Sequence, residues 1–66
     1  MNQPLVDQIK AEMKQIEIDL EAQKKLIKNS LGNEPILAAA EIELKALYTR
    51  QTVLEGNLKK FQASSV

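Results

Sequence analysis

The chain has 66 residues and no cysteine or histidine, and its nine basic and nine acidic side chains balance to a formal net charge of zero. A domain of this size buries only about 60% of the surface of its unfolded chain, so a disulfide, a metal or a partner usually adds to its stability. The missing Cys and His exclude disulfides and thiolate or imidazole metal sites, which leaves self-association or a partner.

Charge and hydropathy argue against two further classes, membrane-spanning proteins and nucleic-acid-binding domains. No apolar run approaches the ~18 residues that span a bilayer. The first residues lack the basic and apolar regions of a signal peptide, so we expect a cytoplasmic protein without a membrane span. The neutral balance argues against nucleic acid as the main partner, because nucleic-acid-binding domains of this size usually carry a basic excess.

A first helix is predicted from about Pro4 to Leu31, because mainly apolar residues recur at heptad positions a and d over that length. Position a holds Val6, Met13, Leu20 and Ile27, and position d holds Ile9, Ile16, Gln23 and Ser30. A composition rich in Leu, Ala, Glu, Lys and Gln favours helix as well. The first helix is therefore expected to present one seam to a neighbouring helix.

A turn is predicted at residues 32–34. Gly32 suits the position after a last helical turn, where a left-handed backbone is common. Either Asn33 or Glu34 can cap the next helix. Pro35 is tolerated in the first turn of that helix, because its missing N–H has no helical partner there.

A second helix is predicted from about Pro35 to Gln62, followed by a flexible tail over residues 63–66. Its position a holds Leu37, Leu44, Gln51 and Leu58, and its position d holds Ala40, Leu47, Leu54 and Phe61. The polar Gln51 either helps to fix the register of the seam or is tolerated close to water.

The two seams match when the second helix folds back on the first. Ile27 then faces Leu37 and Ile16 faces Leu47. The residue numbers of facing seam residues thus have a nearly constant sum, as an antiparallel pair of helices requires. The sequence therefore predicts an all-α antiparallel helical hairpin, a two-helix coiled coil that forms a single domain over residues 1–66. The flanks are expected to form ion pairs between Lys10 and Glu55, Glu12 and Arg50, and Lys24 and Glu41. The turn end is expected to be covered by Leu26, Leu31 and Ile36.

A second uncharged stripe lies on the second helix, on the side away from the seam. Its members are small or β-branched residues spaced by three and four: Ala39, Ile42, Ala46, Thr49, Val53 and Gly56. The first helix carries a shorter counterpart in Ala11, Ile18 and Ala22. A solvated face would instead be rich in Lys, Glu and Gln. The stripe is either a second helix–helix interface, which assembles hairpins into a four-helix or larger bundle, or an ordinary surface where Ala favours helix and isolated Ile is normal.

Tyr48 and Arg50 lie beside the seam of the second helix. Since such residues are enriched at binding hot spots, Tyr48 is either an interface anchor or a side chain that covers the seam edge. These two residues and Ile18 join the second stripe in the predicted partner-binding set: Ile18, Ala39, Ile42, Ala46, Tyr48, Thr49, Arg50, Val53 and Gly56.

No catalytic constellation can be assembled from these residue types. The usual general base and thiol nucleophile, His and Cys, are missing. The carboxylates Glu17, Asp19 and Glu21 are dispersed around a helix, because alternate residues do not converge on one side. The sequence also lacks a glycine-rich phosphate loop and a calcium-loop pattern. We therefore expect a protein that is not an enzyme and has no cofactor, metal site or small-molecule substrate.

The two-helix architecture resembles the small helical-hairpin co-chaperones of type III secretion, which cover needle subunits before export. The stretch from Asn33 to Leu37, continued through Leu47 to Arg50, is similar to needle subunits, which place a Pro-containing turn before an amphipathic helix. Both resemblances imply a helical protein as partner. Small phage and plasmid hairpin proteins are an equally open class.

The leading hypothesis is a protein–protein interaction module, an oligomeric hairpin that acts as adaptor, small chaperone or inhibitor for another helical protein. The alternative is a small nucleic-acid-binding bundle that uses two lysine clusters: Lys24, Lys25 and Lys28 near the turn, and Lys59 and Lys60 at the far end. A third hypothesis is a structural subunit that polymerises through the second stripe.

Overall fold

The computed structural model describes residues 3–64, with Ser64 given by its backbone alone. Within that range lie two helices, α1 over Gln3–Asn29 and α2 over Glu34–Ser64, which pack against each other in opposite directions. The hairpin is long and thin, with Cα extents of 51 × 15 × 11 Å. The predicted all-α helical hairpin is thus confirmed, while its assembly into a bundle stays a prediction. No helix in the described range is long and apolar enough to cross a membrane.

The interface between the helices follows the heptad seam. Every predicted a and d residue is buried or half-buried, and among the other described side chains only Glu12 and Asp19 are not exposed. Four of the buried residues lie on α1 and two on α2: Val6, Ile9, Ile16 and Leu20, and Ala40 and Leu54. The predicted coiled-coil register is therefore the one that the chain adopts.

The core is narrow, because a two-helix hairpin offers each side chain only one neighbouring helix. Ile9, Ile16, Leu20 and Leu54 form its buried cluster. Half-buried residues from both helices pack around this cluster: Met13, Leu44, Leu47, Leu58 and Phe61. Among the described residues, no large side chain is completely buried. The fold thus relies on a single strip of contacts with little reserve of buried area.

Helix α1 ends at Asn29, two residues before the expected bound, because a tight turn replaces its last positions. The Ser30 N–H donates to the Ile27 carbonyl at 3.2 Å, which narrows the end of the helix. The Asn33 N–H then donates to the Ser30 carbonyl at 2.9 Å and closes a β-turn. Gly32, with φ of 90°, occupies the third position of this turn, where a type II turn requires a positive φ.

Asn33 is the cap of α2, which resolves the choice between Asn33 and Glu34. Its side-chain Oδ1 accepts from the Ile36 N–H at 3.4 Å, and its carbonyl accepts the first helical bond from the Leu37 N–H at 3.0 Å. This is the geometry of an N-cap, which satisfies a donor that the helix itself leaves free. Pro35 lies in the first turn of α2, where it interrupts no helical hydrogen bond.

The structure differs from two predictions about the ends of the hairpin. Helix α2 continues through Ala63 to Ser64, past the expected bound at Gln62, and the rest of the expected tail, residues 65–66, lies outside the described residues. Leu31 does not cover the turn end. It is 77% exposed, because the type II turn carries it away from both helices.

Candidate partner-binding face

The second stripe of the sequence forms one continuous side of α2, which we name the α2 outer face. Its residues occupy heptad positions c and f, which lie opposite the a and d seam around a helix with about 100° per residue. All of its members are exposed: Ala39, Ile42, Ala46, Thr49, Val53 and Gly56. The face therefore runs along the surface of the hairpin that α1 does not touch, over roughly 26 Å of helix.

Two β-branched side chains stand out from the α2 outer face. Ile42 is 72% exposed and Val53 is 47% exposed, whereas Val6 in the seam is 5% exposed. Scattered apolar residues are normal on a protein surface. Here they lie in one row with only small or hydroxyl-bearing residues between them, and no charged group interrupts the row.

Thr49 adds little polarity to the face. Its hydroxyl Oγ1 donates to the Lys45 carbonyl at 3.0 Å, one turn earlier in the same helix. Thr52, just beside the face, makes the same bond to the Tyr48 carbonyl at 3.1 Å. Since the hydroxyl proton of Thr49 is already used within the helix, a partner would meet its methyl group without leaving a donor unsatisfied.

Gly56 is not required by any contact inside the hairpin. A Cβ atom built on Gly56 meets no heavy atom within 4 Å. Gly inside a helix is less stable than Ala by roughly 0.5–1 kcal/mol. Gly56 thus weakens α2 without relieving a clash within one chain, and it leaves that end of the α2 outer face flat.

The outer face of α1 points the other way. Each helix turns its outer side away from its neighbour, so Ile18, which is 56% exposed, lies on the opposite side of the hairpin from the α2 outer face. A shallow depression on this side is lined by five residues of α1 alone: Glu17, Ile18, Glu21, Ala22 and Lys25. Three of the five are charged, and one helix cannot enclose a ligand. The structure therefore separates Ile18 from the rest of the predicted set.

Tyr48 and Arg50 lie on opposite flanks of α2. They are two residues apart, which places their side chains about 200° apart around the axis. Arg50 Nη2 donates to Glu12 Oε2 of α1 at 3.3 Å, and both side chains remain largely in water, at 57% and 44% exposed. Tyr48 is 43% exposed on the other flank. Arg50 thus borders the α2 outer face, whereas Tyr48 does not.

Of the three predicted flank pairs, the described residues form only the one between Glu12 and Arg50. Holding two long exposed side chains in one geometry costs entropy that an ion pair in water barely offsets. Glu43 borders the site but is not among the residues that the sequence predicts for it. Glu43 is exposed and lies seven residues before Arg50, at the same heptad position, so that both border the α2 outer face on one edge.

The lysine clusters do not share a surface. One cluster lies at the turn end of α1 and the other at the far end of α2, in a hairpin 51 Å long. The clusters consist of exposed Lys24, Lys25 and Lys28, and of exposed Lys59 and Lys60. Within residues 3–64, no group of three or more acidic side chains comes together to hold a metal ion.

No protein-family model matches this chain, and comparisons with curated proteins and with solved structures find no match. The function must therefore be inferred from the geometry of the hairpin, and above all from the α2 outer face.

Proposed function

We propose that this protein is a non-enzymatic interaction module of the cytoplasm, which binds a helix along the α2 outer face and acts as adaptor, small chaperone or inhibitor. The observation that carries the proposal is the exposed, uncharged side of α2 opposite the seam. The fold of a single chain makes no use of that side, because the seam and the Glu12–Arg50 pair on its flank join the two helices.

The shape of the face favours a helix as the partner. Residues spaced by three and four form ridges and grooves along a helix, and these fit the ridges of a second helix. The small side chains of Ala39, Ala46 and Gly56 permit its axis to come close, while Ile42 and Val53 supply apolar area to bury. A hairpin that covers an apolar helix in this way resembles the co-chaperones that shield a helical subunit before export.

The test compares one substitution on the two outer faces. Ala46→Glu places a charge at the middle of the α2 outer face, and Ala11→Glu places the same charge on the exposed outer side of α1. We expect Ala46→Glu to abolish both self-association and affinity capture of a helical partner from the host lysate, and Ala11→Glu to leave both unchanged. Circular dichroism should show that both variants stay helical, since neither position touches the seam.

Sedimentation equilibrium and capture in raised salt complete the experiment. Apolar helix docking should persist at high salt, whereas phosphate binding through the lysine clusters should weaken steeply. If Ala46→Glu keeps the association and the captured proteins of the wild type, the α2 outer face is not a binding site and the proposal fails.

A further inference from the structure

The α2 outer face is complementary to itself when a second copy of α2 runs antiparallel along it. With a two-fold axis between Leu47 and Tyr48, every member meets another member of the same face. The facing pairs are Ala39 with Gly56, Ile42 with Val53, and Ala46 with Thr49, each formed twice. Ala39 then meets Gly56 at the ends, the two apolar β-branched residues Ile42 and Val53 meet each other, and Ala46 meets Thr49 at the centre. A two-fold interface requires this reciprocity.

The charges beside the face follow the same symmetry. Glu43 and Arg50 border one edge, and the antiparallel register places Glu43 of each copy opposite Arg50 of the other. The opposite edge carries Lys45 and Thr52, which face each other in the same register without bringing two lysines together. The dimer thus gains two ion pairs on one edge and no like-charge contact on the other.

A parallel arrangement does not achieve this match. In a parallel pair, the edge with Glu43 and Arg50 faces the other edge of the second copy. That edge holds no acidic residue between Ala38 and Lys59, so Glu43 would face Lys45, while Arg50 would face Thr52 and have no carboxylate opposite it. Both arrangements form two ion pairs, but only the antiparallel one places an arginine opposite Glu43. Because a guanidinium can bind a carboxylate through two parallel hydrogen bonds, the antiparallel pairing is favoured.

We propose that the occupant of the α2 outer face is a second copy of this chain, bound antiparallel about a two-fold axis between Leu47 and Tyr48. This inference rests on the proposed function and specifies its partner. Since the α2 outer face lies opposite the seam, the four helices of the dimer lie side by side in one layer, with the two α2 helices in the middle. Arg50 is 57% exposed and binds Glu12 through one guanidinium nitrogen, so other guanidinium N–H groups are left to donate to Glu43 of the second copy.

The register is tested by disulfide formation between two variants of a chain that has no natural Cys. Equal amounts of Ala39→Cys and Gly56→Cys are mixed and oxidised. We expect the mixed disulfide to far exceed the statistical share, because the two positions face each other at the short distance that a disulfide needs. Ala38→Cys mixed with Gly56→Cys is the matched control, and it should give only random pairing because Ala38 lies on the edge.

The edge pairs are tested by exchanging the charges. Glu43→Arg and Arg50→Glu should each weaken dimerisation by roughly tenfold, since both ion pairs of the dimer become like-charge contacts. The double variant should bind within a few-fold of the wild type because it restores both pairs in swapped form. Arg50→Glu and the double variant both lose the Glu12 contact, so this loss cancels when the two are compared.

Sedimentation equilibrium of the wild type up to roughly 1 mM decides whether the dimer exists. A monomer throughout that range overturns the second copy as occupant, and so does a dimer that forms no excess of the mixed disulfide. The proposed function survives either result if capture of a foreign helix still depends on Ala46. It fails separately if Ala46→Glu changes neither self-association nor capture.

Discussion

The two helices of the hairpin are alike on the inside and different on the outside. Each presents an a and d seam to the other, and each is neutral, with five acidic and five basic residues in α1 and four of each in α2. The outer side of α1 mixes Ile18 with Gln8, Gln15 and Lys25, as a solvated helix does. The outer side of α2 carries no charge from Ala39 to Gly56. Helix α2 therefore has two opposite uncharged sides, the seam and the α2 outer face.

The difference separates the residues that fold the chain from those that are left for association. Both helices pack through their a and d residues, so the fold of one chain does not require the outer side of either helix. The apolar residues on the α2 outer face are exposed to water, and no described residue of the same chain covers them.

The largest effect is expected at the seam, where the helices should behave alike. Leu20→Ala in α1 and Leu54→Ala in α2 each remove a side chain that is at most 6% exposed. Each should lower the free energy of unfolding by about 2–5 kcal/mol, which is enough to unfold a domain this small. Thermal and urea unfolding followed by circular dichroism will measure the loss.

Exposed neighbours of the same residues serve as controls. Ile18→Ala and Val53→Ala lie two residues before Leu20 and one before Leu54, and should change the stability of the monomer by no more than about 0.5 kcal/mol. If the seam and outer variants lost equal free energy of unfolding, the assignment of Leu20 and Leu54 to the packed seam and of Ile18 and Val53 to the exposed side would be wrong.

The next effect concerns the end of α1. Gly32→Ala places a Cβ on a backbone with φ of 90°, a conformation that costs an L-residue about 1–2 kcal/mol. The space around Gly32 is open, so the loss comes from the backbone alone. Gly32→Asn is the control, because Asn tolerates a left-handed backbone better than Ala. A stability ranking with Ala above Asn would contradict the type II turn.

The start of α2 depends on its cap. Asn33→Ala removes the acceptor of the Ile36 N–H and should lower stability by about 1 kcal/mol, while Asn33→Asp and Asn33→Ser should retain most of the wild-type value. Denaturant unfolding of the four proteins gives the ranking. If Ala is as stable as Asn, the cap bond of 3.4 Å contributes nothing in solution, and Pro35 with the preceding turn is sufficient to start the helix.

The seam was predictable from the sequence because a packed core must repeat with the period of the helix. The heptad pattern extends to Ser30 at a d position, but Ser30 is the first residue of the turn and lies outside α1. The predicted and observed ends of α1 differ because hydrogen bonds in the turn around Gly32 determine where the helix ends. The period of apolar residues carries no information about those bonds. The flank pairs were less predictable, since exposed charges such as Lys10 and Lys24 have many conformations of similar free energy.

The candidate site was predictable in a more limited sense. Heptad position alone places Ala46 and Val53 opposite the seam, and both are exposed. Heptad position also places Tyr48 and Arg50 outside the seam, where both are exposed. That they lie on opposite flanks is seen only when their angles around the axis of α2 are compared. The reciprocal match of the face with itself becomes visible only when the outer residues are considered as facing pairs.

The smallest effect has the opposite sign and concerns Gly56 on the α2 outer face. Gly56→Ala should raise the stability of the monomer by about 0.5–1 kcal/mol, because Ala favours helix and the added methyl meets no atom within 4 Å. Unfolding at low protein concentration measures this gain. At high concentration the same methyl meets Ala39 of the second copy in the proposed dimer, so dimerisation should weaken while folding strengthens. Gly56→Ala that stabilises the chain and leaves dimerisation unchanged would show that the copies do not approach closely at this end of α2. A loss of monomer stability would instead mean that Gly56 is needed by the helix itself, contrary to the open space beside it.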